Sequence, residues 1–420
     1  MNALTSVVSM ADEVPYRSPI AAAWPCTHDG EFAVGGMALS QVVDAVGGTP
    51  CYLYDRAYMA ERVTRLRRAL SQTVELYYAI KANPMPAVVA HVARLLNGLD
   101  VASAGEMRVA LDAGVAAEKI SFAGPGKSEE ELRQAYAANV LVNVESRREL
   151  HLLAKMSERS GRAARIALRV NLPFELKASG MKMTGGARQF GIDAEDVPRS
   201  IAETAALGLK LEGFHLFTGS QSLHAEAVIE AQRKSYDCAR EWAELTCEPI
   251  KSINLGGGLG IPYGDADARI SEEEVVTHLN CLAEETRRDF DGVSLVLELG
   301  RYLVGEAGLY VSRVIDRKVS RGKTFLVVDG GMHQHLAASG NFGQVLRKNY
   351  PVAINGKLFG NEVSSVVGPL CTPLDLLASN AKLGRAEQGD LVVIFQSGAY
   401  GRSASPSGFL GHPAVREALV

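Results

Sequence analysis

Three features of this 420-residue chain could carry chemistry: a lysine, a triple glycine and a glutamate. Lys81 follows the apolar run Leu-Tyr-Tyr-Ala-Ile. A lysine there is commonly a strand-end side chain snorkelling to water. Inside a desolvated mouth its pKa falls, and its amine becomes available for Schiff-base chemistry. Gly256-Gly257-Gly258 puts several unobstructed backbone N–H groups in one turn and leads to Leu259-Gly260. It reads either as a plain tight turn or as a phosphate cradle. No Gly-Lys-Ser/Thr follows, so it is not a Walker loop, and it lacks the surroundings of a Rossmann fingerprint. Glu298 closes the apolar run Ser-Leu-Val-Leu-Glu. A carboxylate there needs a partner, either Arg301 or Arg169 in an ion pair or a protonated ring nitrogen. An amine, a phosphate cradle and a carboxylate are together the three attachment points of pyridoxal 5′-phosphate.

Elements must bring these residues to one place. Short apolar runs at 75–82, 99–102, 119–123, 140–144, 165–170, 210–217, 251–255 and 294–298 alternate with stretches of helical period, such as 87–96, 129–138, 147–160 and 226–245. Eight strands with right-handed helical crossovers predict a (β/α)₈ TIM barrel. Its site lies at the C-terminal ends of the strands. Lys81, Ser103 with Glu106, Gly124-Pro125-Gly126, Asn143 with Glu145, Arg169 with Asn171, His215, Gly219-Ser220-Gln221, Gly256–Gly258 and Glu298 with Arg301 all fall near that end. After residue 299 strands at 308–318, 324–328, 364–367 and 390–394 dominate, which predicts a mainly-β C-terminal domain. The expected division is an irregular arm at 1–30, a segment at 31–52 joining the β domain, a barrel at 53–299 and the β domain at 300–420.

The net charge of −4 offers no basic stripe for nucleic acid. No apolar run reaches spanning length, and the first 25 residues lack a basic region followed by an apolar core, so neither membrane insertion nor a signal peptide is expected. Six cysteines form no C-x-x-C pair, consistent with reduced thiols and a cytoplasmic protein. The 41 glycines exceed the average of about 7% and point to tight turns or backbone close to a ligand.

The motifs YYAIKAN (77–83), DVASAGE (100–106), GPGK (124–127), LRVN (168–171), HLFTGSQ (215–221), NLGGGLG (254–260), ELGR (298–301), GPLCTPLD (368–375) and SGAYG (397–401) stand in one order. Together they resemble the fold-type III pyridoxal phosphate (PLP) decarboxylases, the family of diaminopimelate, ornithine and arginine decarboxylases, over residues 45–412. That resemblance implies an alanine racemase/ornithine decarboxylase-like barrel with a C-terminal β domain, and homodimers with shared active sites. It implies α-decarboxylation through a Lys81 Schiff base and a quinonoid intermediate, with Glu298 on the pyridine nitrogen. Ser220, Gly256, Gly257, Gly258, Arg301 and Tyr400 match positions that hold the cofactor phosphate. Cys371, otherwise read as a small hydrophobe, matches the proton donor supplied by a neighbouring subunit.

Several positions depart from the family pattern. Many relatives read His-x-His before Gly-Ser. Here His215 is followed by Phe217, which is expected to supply the stacking face. Leu299 replaces a proline without consequence for the chemistry. Thr372-Pro373-Leu374-Asp375 replaces Glu-Ser-Gly-Asp, and the lost acid makes diaminopimelate a poor substrate. Residues 330–351 and 403–413 resemble a subgroup that includes exosortase-associated decarboxylases and those acting on glutamyl groups of carrier proteins. The substrate is thus expected to be an amino acid or an aminoacyl group, free or tethered to a carrier protein. Arg169, Arg347 and Asp375 are the candidate substrate contacts, with an exposed face as the alternative for Arg347. His333-x-His335 lacks a third ligand, so no metal is expected. The rival readings are a free diamino acid decarboxylase, a racemase on the same fold and a non-catalytic PLP-binding homologue. Glu298 weighs against the racemase, whose relatives place arginine at the ring nitrogen.

Overall fold

Buried β-branched and leucine runs form eight parallel strands: β1 (Val74–Ala79), β2 (Gly98–Val101), β3 (Ile120–Phe122), β4 (Leu141–Val144), β5 (Arg165–Asn171), β6 (Lys210–His215), β7 (Ser252–Asn254) and β8 (Ser294–Leu299). The structure, a computed structural model, describes residues 16–177, 179–342 and 348–420. Each strand pairs with the next, and β8 pairs with β1, so the barrel closes. All eight expected strands are present. Two end two or three residues earlier than the apolar text suggests. The chain leaves β1 at Ala79 and turns through a 3₁₀ segment, Ile80–Ala82, that carries Lys81. It leaves β6 at His215, and Phe217 lies beyond the ladder.

Helices α1 (Arg56–Ala69), α2 (Pro86–Ala93), α3 (Ala104–Asp112), α4 (Glu129–Ala138), α5 (Arg147–Ser160), α6 (Val197–Ala206), α7 (Ala225–Ala243) and α8 (Glu272–Asp289) accompany the strands. Their starts are written in the sequence. Ser103, Ser146 and Ser271 accept the backbone N–H three residues on, and Ser128 with Glu131 makes a full capping box. Gly161 ends α5 in the left-handed region that favours glycine. A hairpin that the sequence reading missed pairs Gly219–Ser222 antiparallel with Ser179–Lys182.

The chain divides into two compact units. The barrel unit comprises Tyr52–Leu309 with Gln396–Ala404 and Glu417–Val420. The other comprises Tyr310–Phe395, Ser405–Arg416 and the described residues up to Cys51. Its sheet is built from β9 (Gly308–Ser320), β10 (Lys323–Val328), β11 (Val352–Ile354), β12 (Glu362–Val367), β13 (Leu376–Leu383) and β14 (Leu391–Ile394), in the order β11-β14-β9-β10-β12-β13. Thus three short pieces of the expected 300–420 domain, 300–309, 396–404 and 417–420, belong to the barrel unit. Residues 1–15 of the expected arm lie outside the described residues. The remainder of that arm is packed, with a short helix at Pro19–Ala23 and Trp24 against Phe395, ring centroids 5.9 Å apart. Among the described residues no helix is long and apolar enough to cross a membrane.

Candidate active site

Four side chains meet at one end of the barrel. Lys81 comes from the turn after β1, Asp100 from β2, His215 from β6 and Glu298 from β8. Lys81 Nζ stands 3.2 Å from Asp100 Oδ2 and 3.6 Å from Glu298 Oε1. His215 Nε2 lies 2.8 Å from Glu298 Oε2, which also accepts from Asn254 Nδ2 at 3.3 Å. The two acids and the histidine are buried, and Lys81 is half-buried.

The electrostatics follow from this crowding. Burial opposes the charge on Lys81, but Asp100 and Glu298 outweigh it and hold its pKa above the ordinary lysine value. Burial, then Glu298, pushes Asp100 up to about 7 against the pull of Lys81. Two carboxylates share one ammonium, and this crowding favours the neutral form of Asp100. Burial, then Arg169, lowers His215 to about 3, so its ring is neutral and donates its Nε2–H to Glu298. Asp100, His215 and Glu298 could offer three metal-ligand atoms. Lys81 already supplies the cation there.

Lys81, Phe217, Ser220, Gly258, Glu298, Arg301 and Tyr400 line one pocket. Phe217 has its ring nearly parallel to that of His215, 6° between planes, and 5.6 Å from Lys81 Nζ. Gly256 and Gly258 have φ of 67° and 104°, and a Cβ on Gly257 would lie 2.2 Å from the carbonyl oxygen of Glu298. The triple glycine is therefore both a turn and a close approach to β8. Gln221 clamps the Ser220 strand to this turn, exchanging two hydrogen bonds with the backbone of Ile261. Arg301 donates to Tyr263 Oη at 2.6 Å, and its guanidinium lies 4.6 Å from the Tyr400 ring centroid. Tyr400 has φ of 54°, a strained value for a large side chain, and its N–H donates to Ala82 O at 2.8 Å.

Other expected residues lie elsewhere. Arg169, expected to meet substrate, is buried and gives Nη1 to Glu145 Oε1 at 2.9 Å. Asp375 is another expected substrate contact. Its carboxylate is buried and accepts the backbone N–H of Met332 at 2.6 Å and of Leu370 at 2.8 Å, clamping two loops of the second unit. Cys371 is exposed in the turn after β12. Arg347 lies outside the described residues. Asp100 was not singled out because one acid inside the buried strand GLDV carries no periodic signal; its proximity to Lys81 is purely tertiary.

Residues 56–305 match the family described as pyridoxal-dependent decarboxylase, pyridoxal binding domain. The chain is 36% identical over 389 residues, 88% of each chain, to the L-glutamyl-[BtrI acyl-carrier protein] decarboxylase of Niallia circulans. It is 32% identical to the 2-[(L-alanin-3-ylcarbamoyl)methyl]-2-hydroxybutanedioate decarboxylase of Staphylococcus aureus, covering 86% of this chain and 92% of that one. Among solved structures, the diaminopimelate decarboxylase of M. jannaschii in complex with L-lysine superposes with a TM-score of 0.83 at 28% identity, covering 94% of this chain and 92% of that one.

Proposed function

This chain belongs to the fold-type III pyridoxal-dependent decarboxylases, and from that membership we propose that it removes the α-carboxylate of an aminoacyl group carried on a carrier protein. The coarser part of this statement, PLP-dependent amino-acid decarboxylation, is the family's chemistry. The tethered substrate is supported by the 36% identity to the glutamyl-carrier decarboxylase and by Thr372-Pro373-Leu374, which offers no acid to a distal ammonium.

The residues present fit pyridoxal phosphate. The observation that carries the reading is Glu298 Oε1, a buried carboxylate oxygen that lines the pocket and accepts no hydrogen bond. Such an atom calls for a donor, and a protonated ring nitrogen is one. Gly256 and Gly257 leave no room for a Cβ, and the positive φ of Gly256 and Gly258 disfavours a side chain, so the turn offers bare backbone to a phosphate. Lys81 would hold the aldehyde carbon, Phe217 the ring face, and Ser220, Gly256–Gly258, Arg301 and Tyr400 the phosphate. When bound, the cofactor supplies an electron sink for the pair left by departing CO₂.

The chain's own residues do the remaining work. Glu298 keeps a proton on the ring nitrogen by accepting it in a hydrogen bond shielded from water. Asp100 steadies Lys81 as an ammonium and takes up a proton near neutrality, so the pair can exchange one with bound substrate. In a homodimer with shared sites, the partner subunit's Cys371 delivers the proton that replaces the lost carboxylate. Free thiols at all six cysteines suit a reducing, cytoplasmic setting.

The test is CO₂ release from a panel of free amino acids beside the same acyl groups loaded on a carrier protein. Preference for loaded groups is expected. Turnover of free amino acids alone refutes tethering, and inversion of single enantiomers without CO₂ refutes the decarboxylase.

A further inference from the structure

A chain of buried charges runs from the loops that follow β3 and β4, through the start of α5 and Arg169 on β5, toward Glu298. Lys127 Nζ lies 3.0 Å from Glu149 Oε2 and 4.0 Å from Glu145 Oε1. Glu145 accepts from Arg169 at 2.9 Å, from the Gly124 N–H at 2.5 Å and from the Gly191 N–H at 3.1 Å. Arg169 is thereby fixed in place. In the ladder between β5 and β6 it is the direct register partner of His215.

His215 has one bonded nitrogen. Nε2 meets Glu298, while Nδ1 is buried and has no hydrogen-bond partner. An imidazolium would leave an N–H unpaired there and would add a cation beside Arg169 and Lys81. The neutral ring with its proton on Nε2 avoids both costs. We infer that Arg169 is a positioning residue that keeps His215 neutral and thereby fixes Glu298 as an acceptor with one oxygen left open. This rests on the reading that the open oxygen meets the cofactor ring.

The charges around His215 oppose one another. Asp100, Glu145 and its bonded partner Glu298 favour protonation, whereas Arg169, Lys81 and, above all, burial disfavour it. Glu145 and Arg169 form an ion pair, so removing the arginine leaves an acid acting alone on the ring. Side chains at register positions of adjacent strands lie on the order of 5 Å apart, so at an effective dielectric near 20 loss of the guanidinium is worth an upward shift of about two pH units.

The experiment follows imidazole nitrogen shifts of the holoenzyme by NMR from about pH 4 to 9, with His215 assigned by its absence in His215→Asn. Wild-type His215 is expected neutral and protonated at Nε2 down to the acid end. Arg169→Met raises its midpoint by about two units, and Arg169→Lys restores the wild-type behaviour. A wild-type His215 that is charged at pH 7, or protonated at Nδ1, overturns the inference. So does an Arg169→Met protein that loses thermal stability with an unchanged His215 titration. If Arg169→Met does not fold, the wild-type tautomer and Arg169→Lys still decide. A preparation without the visible absorbance of bound PLP fails the functional reading instead, and the nitrogen shifts then still report on Arg169.

Discussion

Replacing Asp100 by asparagine keeps the side chain's shape and removes one of the two charges that hold Lys81. At 3.2 Å and an effective dielectric near 20, the pair attracts by about 5 kcal/mol. The Lys81 side chain is 36% exposed, and solvent screening cuts that by roughly half. The remaining 2–3 kcal/mol lowers the amine's pKa by about two units. The sign has a pH window. Asp100 titrates near 7, so below that value the wild type already carries a neutral acid there, and the variant imitates it. The two proteins should diverge only above pH 7. The assay is the rate at which apoprotein gains visible absorbance on mixing with pyridoxal phosphate, since only the free amine condenses. The variant should be faster by up to about 100-fold above pH 8, and the ratio should approach one below pH 6. A ratio that does not change with pH, or a slower variant, would refute this account of Lys81.

Three further outcomes follow from the geometry. Gly257→Ala should cost about 1–3 kcal/mol in urea unfolding and weaken cofactor retention, because its Cβ would meet the Glu298 carbonyl at 2.2 Å; Gly126→Ala, with nothing within 4 Å, should be neutral, and equal behaviour of the two would refute the close-approach argument. Asp375→Ala should cost about 2 kcal/mol or more by stranding the N–H groups of Met332 and Leu370, and unchanged stability would return Asp375 to the substrate list. Burial lowers His215 and His335 to about 3 and His333 to about 4, so an unfolded chain takes up protons below about pH 6.5 that the folded one refuses. Stability should therefore be full above 6.5 and fall as pH drops toward 4, more shallowly in His333→Leu, and a flat urea midpoint over that range would contradict the assignment.

The barrel was legible because strand and helix periods differ and because polar residues collect at one end of each strand. Lys81, Glu298 and the glycine turn stood out as departures from that apolar text. Asp100 did not, and Glu145 was read only as a strand-end residue, since their partners Lys81 and Arg169 come from the neighbouring strand across a helical crossover. Arg169 and Asp375 were seen, but their partners within the chain, Glu145 and the backbone of Met332 and Leu370, were not. A motif shows that a charged residue occupies a position, whereas whether it faces substrate or the protein's own carboxylates and backbone is decided by packing. The hairpin holding Ser220 was missed for a related reason, because its two short strands have no alternation of their own.

Tyr400 belongs to a nine-residue piece, Gln396–Ala404, that the chain returns to the barrel unit after building most of the sheet. Asn83 donates to the carbonyl of Gly398 and Gln396 to that of Pro262, so this piece is stitched into the barrel by hydrogen bonds. During synthesis all eight barrel strands emerge from the ribosome about a hundred residues before Tyr400 does. A nascent chain can close its barrel while the aromatic face over Arg301 is still missing. On the role proposed for Tyr400, this face would complete the phosphate cradle only late in translation, and a chain ending before residue 400 would lack that part of it.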